Sequence, residues 1–377
     1  MHGEAMKRSS DVLIVGGGII GLAIAREAAL AGLSVRLFEA GEPGGEASGA
    51  AAGMLGAQLE AERHDPLTDL GLASRRLYDG LIAALRESSG IDPNYRTEGT
   101  LVVARSTDEQ AALQRCFAFQ RESGLAVERL DRAAVLRFEP EIGASPAGGL
   151  LLPDDRSVEP RLLMQGLRRA AERAGADIRC AAPVQRVLSK SRRVVGAEVA
   201  GEVWVAGTVV MAAGAWSGAI EGEVIDPLPT SAVKGQIVCL QAEPSVLRHV
   251  LWTTGIYLVP RGDGRIVIGS TSERVGFARR VTAGAMSSLI ERAVTLLPAL
   301  AGAAFHSAWA GLRPALPDGL PAIGPGPVAG LQYACGHFRH GILLAPITAR
   351  IIVRLLRGES PEVDLAPFDP RRFAPGP

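Results

Sequence analysis

The stretch that most constrains this chain is DVLIVGGGIIGLAIAREAALAGLSVRLFEA, residues 11–40. Residues 12–15 are short, apolar and mostly β-branched, as a buried parallel strand should be. Gly16, Gly18 and Gly21 follow at once with the spacing G-x-G-x-x-G. Residues 22–31 then read as a helix that Gly32 stops, and a second strand, 35–38, ends at the acidic Glu39. This order predicts a dinucleotide site. Gly16 supplies an unusual backbone angle where strand turns into helix. Gly18 keeps side chains away from a pyrophosphate, and Gly21 lets helix and strand pack closely. The helix start offers free N–H groups and a positive dipole end to phosphates. Glu39, eighteen residues after Gly21, is placed to accept hydrogen bonds from ribose hydroxyls and would repel a 2′-phosphate. The competing reading is a secretory signal, with Lys7 and Arg8 before an apolar run. Asp11 opens that run, Arg26-Glu27 interrupts it, and the glycines would have no purpose.

With 377 residues the chain is long enough for two intertwined domains. Lys plus Arg equals Asp plus Glu at 40 each, so charge gives no reason to expect nucleic acid or an anionic membrane as partner. The most apolar late stretch, 341–353, carries Arg350 and reads as a buried helix rather than a membrane span. Four scattered cysteines without metal spacing read as free thiols in a reducing cytoplasm.

Along the chain, residues 1–10 are polar and read as frayed, with Met6 an alternative start. Residues 41–56 are almost all small, which lets backbone approach a bulky ligand, and Ser48 is a candidate helix cap. Residues 66–88 read as one long amphipathic helix with Leu70, Leu77, Leu81 and Leu85 on one face. Helices are expected at 108–123, 131–138, 160–174 and 282–297, and strands at 101–104, 149–152, 176–179, 184–188, 194–199, 203–205 and 209–217. Strands at 237–240, 255–260 and 265–269, the last two joined around Gly262-Asp263-Gly264, suggest an antiparallel sheet. Residues 310–325 read as turn-rich, followed by a strand at 331–334, a last helix to about 356, and a loose Pro-rich tail.

Four segments together, GGGIIG, the small-residue run ending AAGML, AGLRPALPDGLPAIG and GHFRHGILLAP, resemble the D-amino-acid-oxidase-type FAD-dependent oxidoreductases. Within that family the pattern is most similar to the glycine-oxidase branch linked to thiamine biosynthesis. The resemblance implies an α/β (α+β overall) fold. A Rossmann-like FAD-binding domain of glutathione-reductase type (11–90, 150–225 and 310–357) would interleave with an antiparallel-sheet substrate-binding domain (91–149 and 226–309), leaving 358–377 as the tail. It implies non-covalent FAD, because the covalent relatives place a Cys in the segment equivalent to 312–317 and none stands here. It implies oxidative deamination of glycine, sarcosine or small D-amino acids by molecular oxygen, in the cytoplasm and with a homo-oligomer allowed. The alternative is a dehydrogenase passing electrons to a quinone or a protein.

By position, the resemblance puts Ile19, Ile20, Glu39, Ala40, Ala47, Ser48, Ala52, Gly53 and Met54 against the adenosine and phosphates, and Val184 on the adenine side. His337, Phe338, Arg339, His340, Gly341, Ile342 and Leu343 would line the flavin. Arg313 would grip the substrate carboxylate, Tyr257 would add a hydroxyl to it, and Arg339 would stand at the pocket mouth. A planar guanidinium suits a bidentate carboxylate clamp. The bland readings are an Arg313 paired to Asp318, a core-edge Tyr257, and an Arg339 at the surface or on an FAD phosphate. His337 and His340 lack companion metal ligands, no acid–base side chain is singled out as catalytic, and Trp216 and Trp309 read as core. The chain departs from the family pattern at His340, where an Asn is usual. Small residues at Gly255 and Ser272 leave pocket size open.

Overall fold

The computed structural model describes residues 8–59, 61–143, 146–222 and 228–374, so the alternative start at Met6 and the last three residues lie outside the described residues. Two sheets organise the chain. The first is built on a parallel run in the spatial order Asp177–Arg179, Val35–Phe38, Ser9–Val15, Glu202–Met211 and Leu331–Cys335. Beyond Glu202–Met211 the sheet branches: residues 202–205 pair antiparallel with Arg193–Val199, which carries Val184–Lys190, and residues 209–211 pair with Leu331–Cys335, which carries the antiparallel Ala322–Pro325. The helix Ile19–Leu30 follows the first strand, and the helices Pro160–Arg173 and Gly341–Leu356 pack beside it in one core with the apolar residues Ile14, Leu22, Leu37 and Leu344. The strand, glycine turn, helix and parallel second strand are those that the opening stretch predicts, and the opposite face, at Leu13, Val15 and Phe38, is packed by Val187, Val194 and Ala197 of the antiparallel strands.

The second sheet runs in the order Ala304–Ala315, Ser231–Gln241, Arg265–Gly269, Ile256–Pro260, Val250–Thr253, Thr100–Ala104, Gly148–Leu152 and Glu128–Leu130. Its pairs are antiparallel except Val250–Thr253 with Thr100–Ala104. The helix Ala283–Leu296 covers one face through Leu289, Ala293 and Leu296, and the other face turns Ile237, Val259 and Val267 toward Ala52. The sheet continues past residues 149 and 309, because the strands Gly148–Leu152 and Ala304–Ala315 both pair into it.

Several expectations are corrected. Ser9 and Ser10 are not frayed; they pair with Val205 and Ala206. The 203–205 and 209–217 strands are one strand, Glu202–Met211, which ends before a short 3-10 turn at Gly214–Trp216. The 66–88 helix is two, Pro66–Arg75 and Tyr78–Ser89, bent at Arg76 and Leu77. The bend rotates the second buried face onto Tyr78, Ile82, Leu85 and Ser89. Residues 310–325 are not chiefly turns. Ala304–Ala315 is a twelve-residue strand at the sheet edge, where Pro314 costs no central ladder bond. The tail is not loose through residue 374. Phe368 is 2% exposed in the first core, and Arg372 pairs with Asp318 at 2.7 Å.

Candidate active site

The glycines of the first turn act as three different devices. Gly16 has φ +107°, and a Cβ there would stand 2.5 Å from the Ala212 carbonyl oxygen of the neighbouring strand. A Cβ on Gly21 would collide with the Gly16 carbonyl. Gly18 differs: a Cβ there would meet only the Ser48 hydroxyl, at 3.2 Å. Gly16 and Gly21 therefore hold strand and helix together, and Gly18 keeps space open.

That space is a cleft of about 580 Å³ between the two sheets. Gly18, Ile19 and Ile20 form one end, with Ala47, Ser48, Ala52, Gly53 and Met54 alongside. Residues 337–343, Tyr257 and Arg313 also line it. Ser48 does not cap its own short helix, Ala47–Ala50. Its hydroxyl accepts from the Ile19 N–H at 2.9 Å, at the start of the long helix Ile19–Leu30. Glu39, Ala40 and Val184 lie outside the cleft lining. The Glu39 carboxylate accepts from the Gly17 N–H at 2.6 Å and the Gly41 N–H at 2.8 Å, at the head of the second parallel strand. Val184 is buried in the core that also contains Phe38 and Val187.

The features fit a dinucleotide that carries a flavin. The bare Gly18 and the strip of small residues admit a backbone-hugging pyrophosphate at a helix start. A second helix, Gly341–Leu356, also begins at the cleft, so its first-turn amides and dipole face the same space.

Arg313 lies in the wall formed by the second sheet. Its guanidinium donates to Ser270 Oγ at 2.7 Å and to the Thr271 carbonyl at 3.1 Å. Among the described residues no carboxylate pairs with it; Asp318, the bland alternative, is taken by Arg372. Burial lowers its pKa, the nearby Tyr257 opposes that shift, and the charge of Arg339 adds to it. Two guanidinium groups so close, with only neutral partners for Arg313, make an anion-seeking pocket. Burial raises the Tyr257 phenol, against opposing pulls from Ser270 and Arg313, so the hydroxyl is a neutral donor. Tyr257 stacks on Trp252, which also lines the cleft, with centroids 5.8 Å apart. Arg339 lies in the cleft wall with its guanidinium 5.4 Å from the Phe338 ring centre.

His337 is not a poised base. It is 3% exposed, its Nε2 is 3.0 Å from Thr348 Oγ1, and burial, helped by His340, pushes its pKa down to about 3. Among the described residues no group of three or more His, Cys, Asp or Glu is arranged to hold a metal. Trp309 is anchored by its indole N–H to the Ala50 carbonyl at 3.0 Å, and Trp216 tilts over the exposed Phe277.

Three site residues escape sequence reasoning. Ser270 holds Arg313. A Cβ on Gly235 would collide with the Arg313 guanidinium, and one on Gly269 would collide with the Tyr257 hydroxyl. The available signal was glycine inside otherwise apolar strands, which marks close approach. Of the two small positions flagged for pocket size, Gly255 lines the cleft and Ser272 does not.

The FAD dependent oxidoreductase (DAO) family model matches residues 11–355. The glycine oxidase of Geobacillus kaustophilus is 38% identical over 366 residues, which is 96% of this chain and 97% of that protein. Its crystal structure superposes with a TM-score of 0.93, covering 98% of this chain and 100% of the other. The glycine oxidase of Pseudomonas aeruginosa is 36% identical over 365 residues, 96% of this chain and 99% of that one. The bifunctional protein ThiO/ThiG of Synechocystis is 35% identical over 374 residues, covering 98% of this chain and 55% of that protein. From the glycine turn at Gly16 to the last helix, this chain belongs to the DAO family of FAD-dependent oxidoreductases, and its cofactor is FAD.

Proposed function

We propose that this protein is an FAD-dependent glycine oxidase. It converts glycine, sarcosine and small D-amino acids, with molecular oxygen and water, to the oxo acid, ammonia or an amine, and hydrogen peroxide. The observation that carries the reading is Arg313, a half-buried guanidinium on neutral partners facing a cofactor cleft. Glycine offers only a carboxylate and an amine, so a carboxylate clamp supplies nearly all its orientation. The full-length similarity to glycine oxidases supports the same substrate class.

FAD, when bound, supplies a hydride acceptor for the substrate Cα–H. The chain's own residues do the rest. Arg313 takes the carboxylate in a charge-assisted fork. The Tyr257 hydroxyl donates a further hydrogen bond, and Arg339 adds positive charge at the mouth. Trp252, Met54 and Ile237 give the cleft an apolar wall that limits water. No side chain has to remove a proton from Cα, which agrees with a His337 that stays neutral and bonded to Thr348.

The FAD is held without a covalent bond, by the Gly18 end, the 47–54 strip and the 337–343 segment. We assign an FAD-binding domain of about 11–90, 153–225 and 316–357 and a substrate-binding domain of about 91–152 and 226–315, which moves the expected edges at 149 and 309 to the strand ends. Four free cysteines support a cytoplasmic location, and no helix among the described residues is long and apolar enough to cross a membrane. The likeness to a ThiO/ThiG fusion supports a role supplying the glycine imine for thiazole synthesis. An amino-acid panel with a peroxide readout tests the activity. Peroxide from glycine supports it. Flavin reduced by glycine without peroxide, but with transfer to a quinone dye, would make the protein a dehydrogenase instead.

A further inference from the structure

Pro346 is the sixth residue of the helix Gly341–Leu356. It has no N–H, so the carbonyl of Ile342, four residues back, loses its helical partner. The hydroxyl of Tyr78 donates to that same Ile342 carbonyl. One residue on, the Ser74 hydroxyl donates to the Leu343 carbonyl at 2.6 Å, and the Ile347 N–H lies 3.4 Å from the same Ser74 oxygen. The helix is thus interrupted at two successive rungs, and both are completed from outside.

The two outside groups come from one stripe. Gly71, Ser74 and Tyr78 follow at spacings of three and four across the bend at Arg76 and Leu77. A Cβ on Gly71 would stand 3.2 Å from a Leu343 methyl, so the stripe is pressed against the first turn of the helix. Ser74 and Tyr78 are both fully buried, and burial keeps the phenol protonated and able to donate. Gly341, Ile342 and Leu343 line the cleft, and their amides have no partner inside the helix. The helix enters from Phe338 at φ +47°, with the Phe338 N–H fixed to the Pro314 carbonyl at 2.9 Å. Pro346 loosens this first turn from the turns after it, and Tyr78 and Ser74 restore its position.

We propose that Tyr78 and Ser74 are positioning residues for the flavin. They brace the first turn of Gly341–Leu356 so that its amides and positive dipole end face the bound ring, where they stabilise the extra charge of the reduced state. This rests on the reading that FAD occupies the cleft.

The test uses the holoenzyme and the variants Tyr78→Phe and Ser74→Ala, with Leu289→Ala in the other core as a control for general destabilisation. Two quantities are read: the FAD dissociation constant from fluorescence, and the flavin reduction potential from equilibration with a reference dye. Tyr78→Phe is expected to weaken FAD binding about tenfold and to shift the potential negative, and Ser74→Ala to do the same to a smaller extent. Leu289→Ala should lower the melting temperature and leave both quantities in place. Adding Pro346→Ala to Tyr78→Phe returns an N–H to the Ile342 carbonyl and should recover part of both losses. The proposal is overturned if Tyr78→Phe changes neither quantity beyond the control, or if Pro346→Ala rescues nothing. Should Tyr78→Phe fail to fold, Ser74→Ala decides on the same readouts. A wild-type protein that binds no FAD would instead refute the cofactor reading.

Discussion

The guanidinium of Arg313 rests on the bare Cα of Gly235, one strand away. Arg313 pairs in register with Val233, and Gly235 lies two residues further along on the same face. No other residue leaves room for a planar group at that point. Gly235→Ala should push the guanidinium out of place and lower kcat/KM for glycine by between about tenfold and a hundredfold, as misplacement of a positioning group does. Flavin content should hold. Steady-state kinetics beside the 450 nm to 280 nm absorbance ratio check this, and unchanged kinetics would mean that Gly235 does not set the clamp.

Gly18 and Gly21 of the first turn separate by mutation. Gly18→Val adds a branched side chain where only Ser48 Oγ stands nearby, at 3.2 Å. It should yield folded protein that purifies colourless. Gly21→Ala drives a methyl into the Gly16 carbonyl, so it should cost stability outright, about 1–3 kcal/mol for overpacking. Chemical denaturation with flavin quantitation distinguishes the two, and a yellow Gly18→Val variant would contradict the placement of the pyrophosphate.

The legible parts of this chain were those whose signal is local. The first strand, glycine turn and helix announce themselves because the glycines have fixed spacing and the strand is uniformly apolar. The segment around Arg313 was read as turns because Gly311, Pro314 and Pro317 are turn formers. Its strand state comes from pairing with Ser231–Gln241, some eighty residues earlier, which no local window contains. Ser48 was read as a candidate cap without a helix to assign it to, because its partner, the Ile19 N–H, is distant in sequence. The tail has too little periodicity to show that Phe368 would be buried. The seat under Arg313 could not be read at all without knowing which strand faces it.

His337 gives a pH dependence of stability with a definite sign. Burial takes its pKa from an ordinary 6.5 down to about 3. Between these values the unfolded chain binds the extra proton and the folded one does not. Stability therefore falls as pH drops from about 6.5 toward 3, and this group contributes no slope above 6.5. His337→Asn removes that part of the slope. Urea midpoints for both proteins at pH 7, 5.5 and 4.5 should converge toward low pH, and parallel curves would argue against a buried neutral imidazole.

Activity should respond differently. Neither His337, kept neutral by burial, nor Tyr257, whose pKa burial raises, brings an ionisation of its own to the range between pH 6 and 9, so the expected rise is that of the substrate amine losing its proton. kcat/KM for glycine should rise across this range, by up to about tenfold per pH unit below the amine pKa. A profile that falls from pH 6 to 9 while the protein stays folded would count against hydride loss from a free amine.

The central claim is that Arg313 holds the substrate carboxylate. Losing the partner of a desolvated charge costs on the order of 3–5 kcal/mol, and each ~1.4 kcal/mol is tenfold in rate. Arg313→Ala should therefore lower kcat/KM for glycine by roughly a hundredfold or more. Arg313→Lys keeps the charge without the fork and should fall in between. FAD content should stay near that of the wild type in both, because the hydrogen bonds of Arg313 go to Ser270 and Thr271 and none goes to the Gly16–Gly21 turn. The decisive measurement is kcat/KM for glycine in flavin-loaded Arg313→Ala. A loss of about a hundredfold with full flavin is the predicted result, and retention within about threefold would show that Arg313 is not the clamp and transfer that role to Arg339.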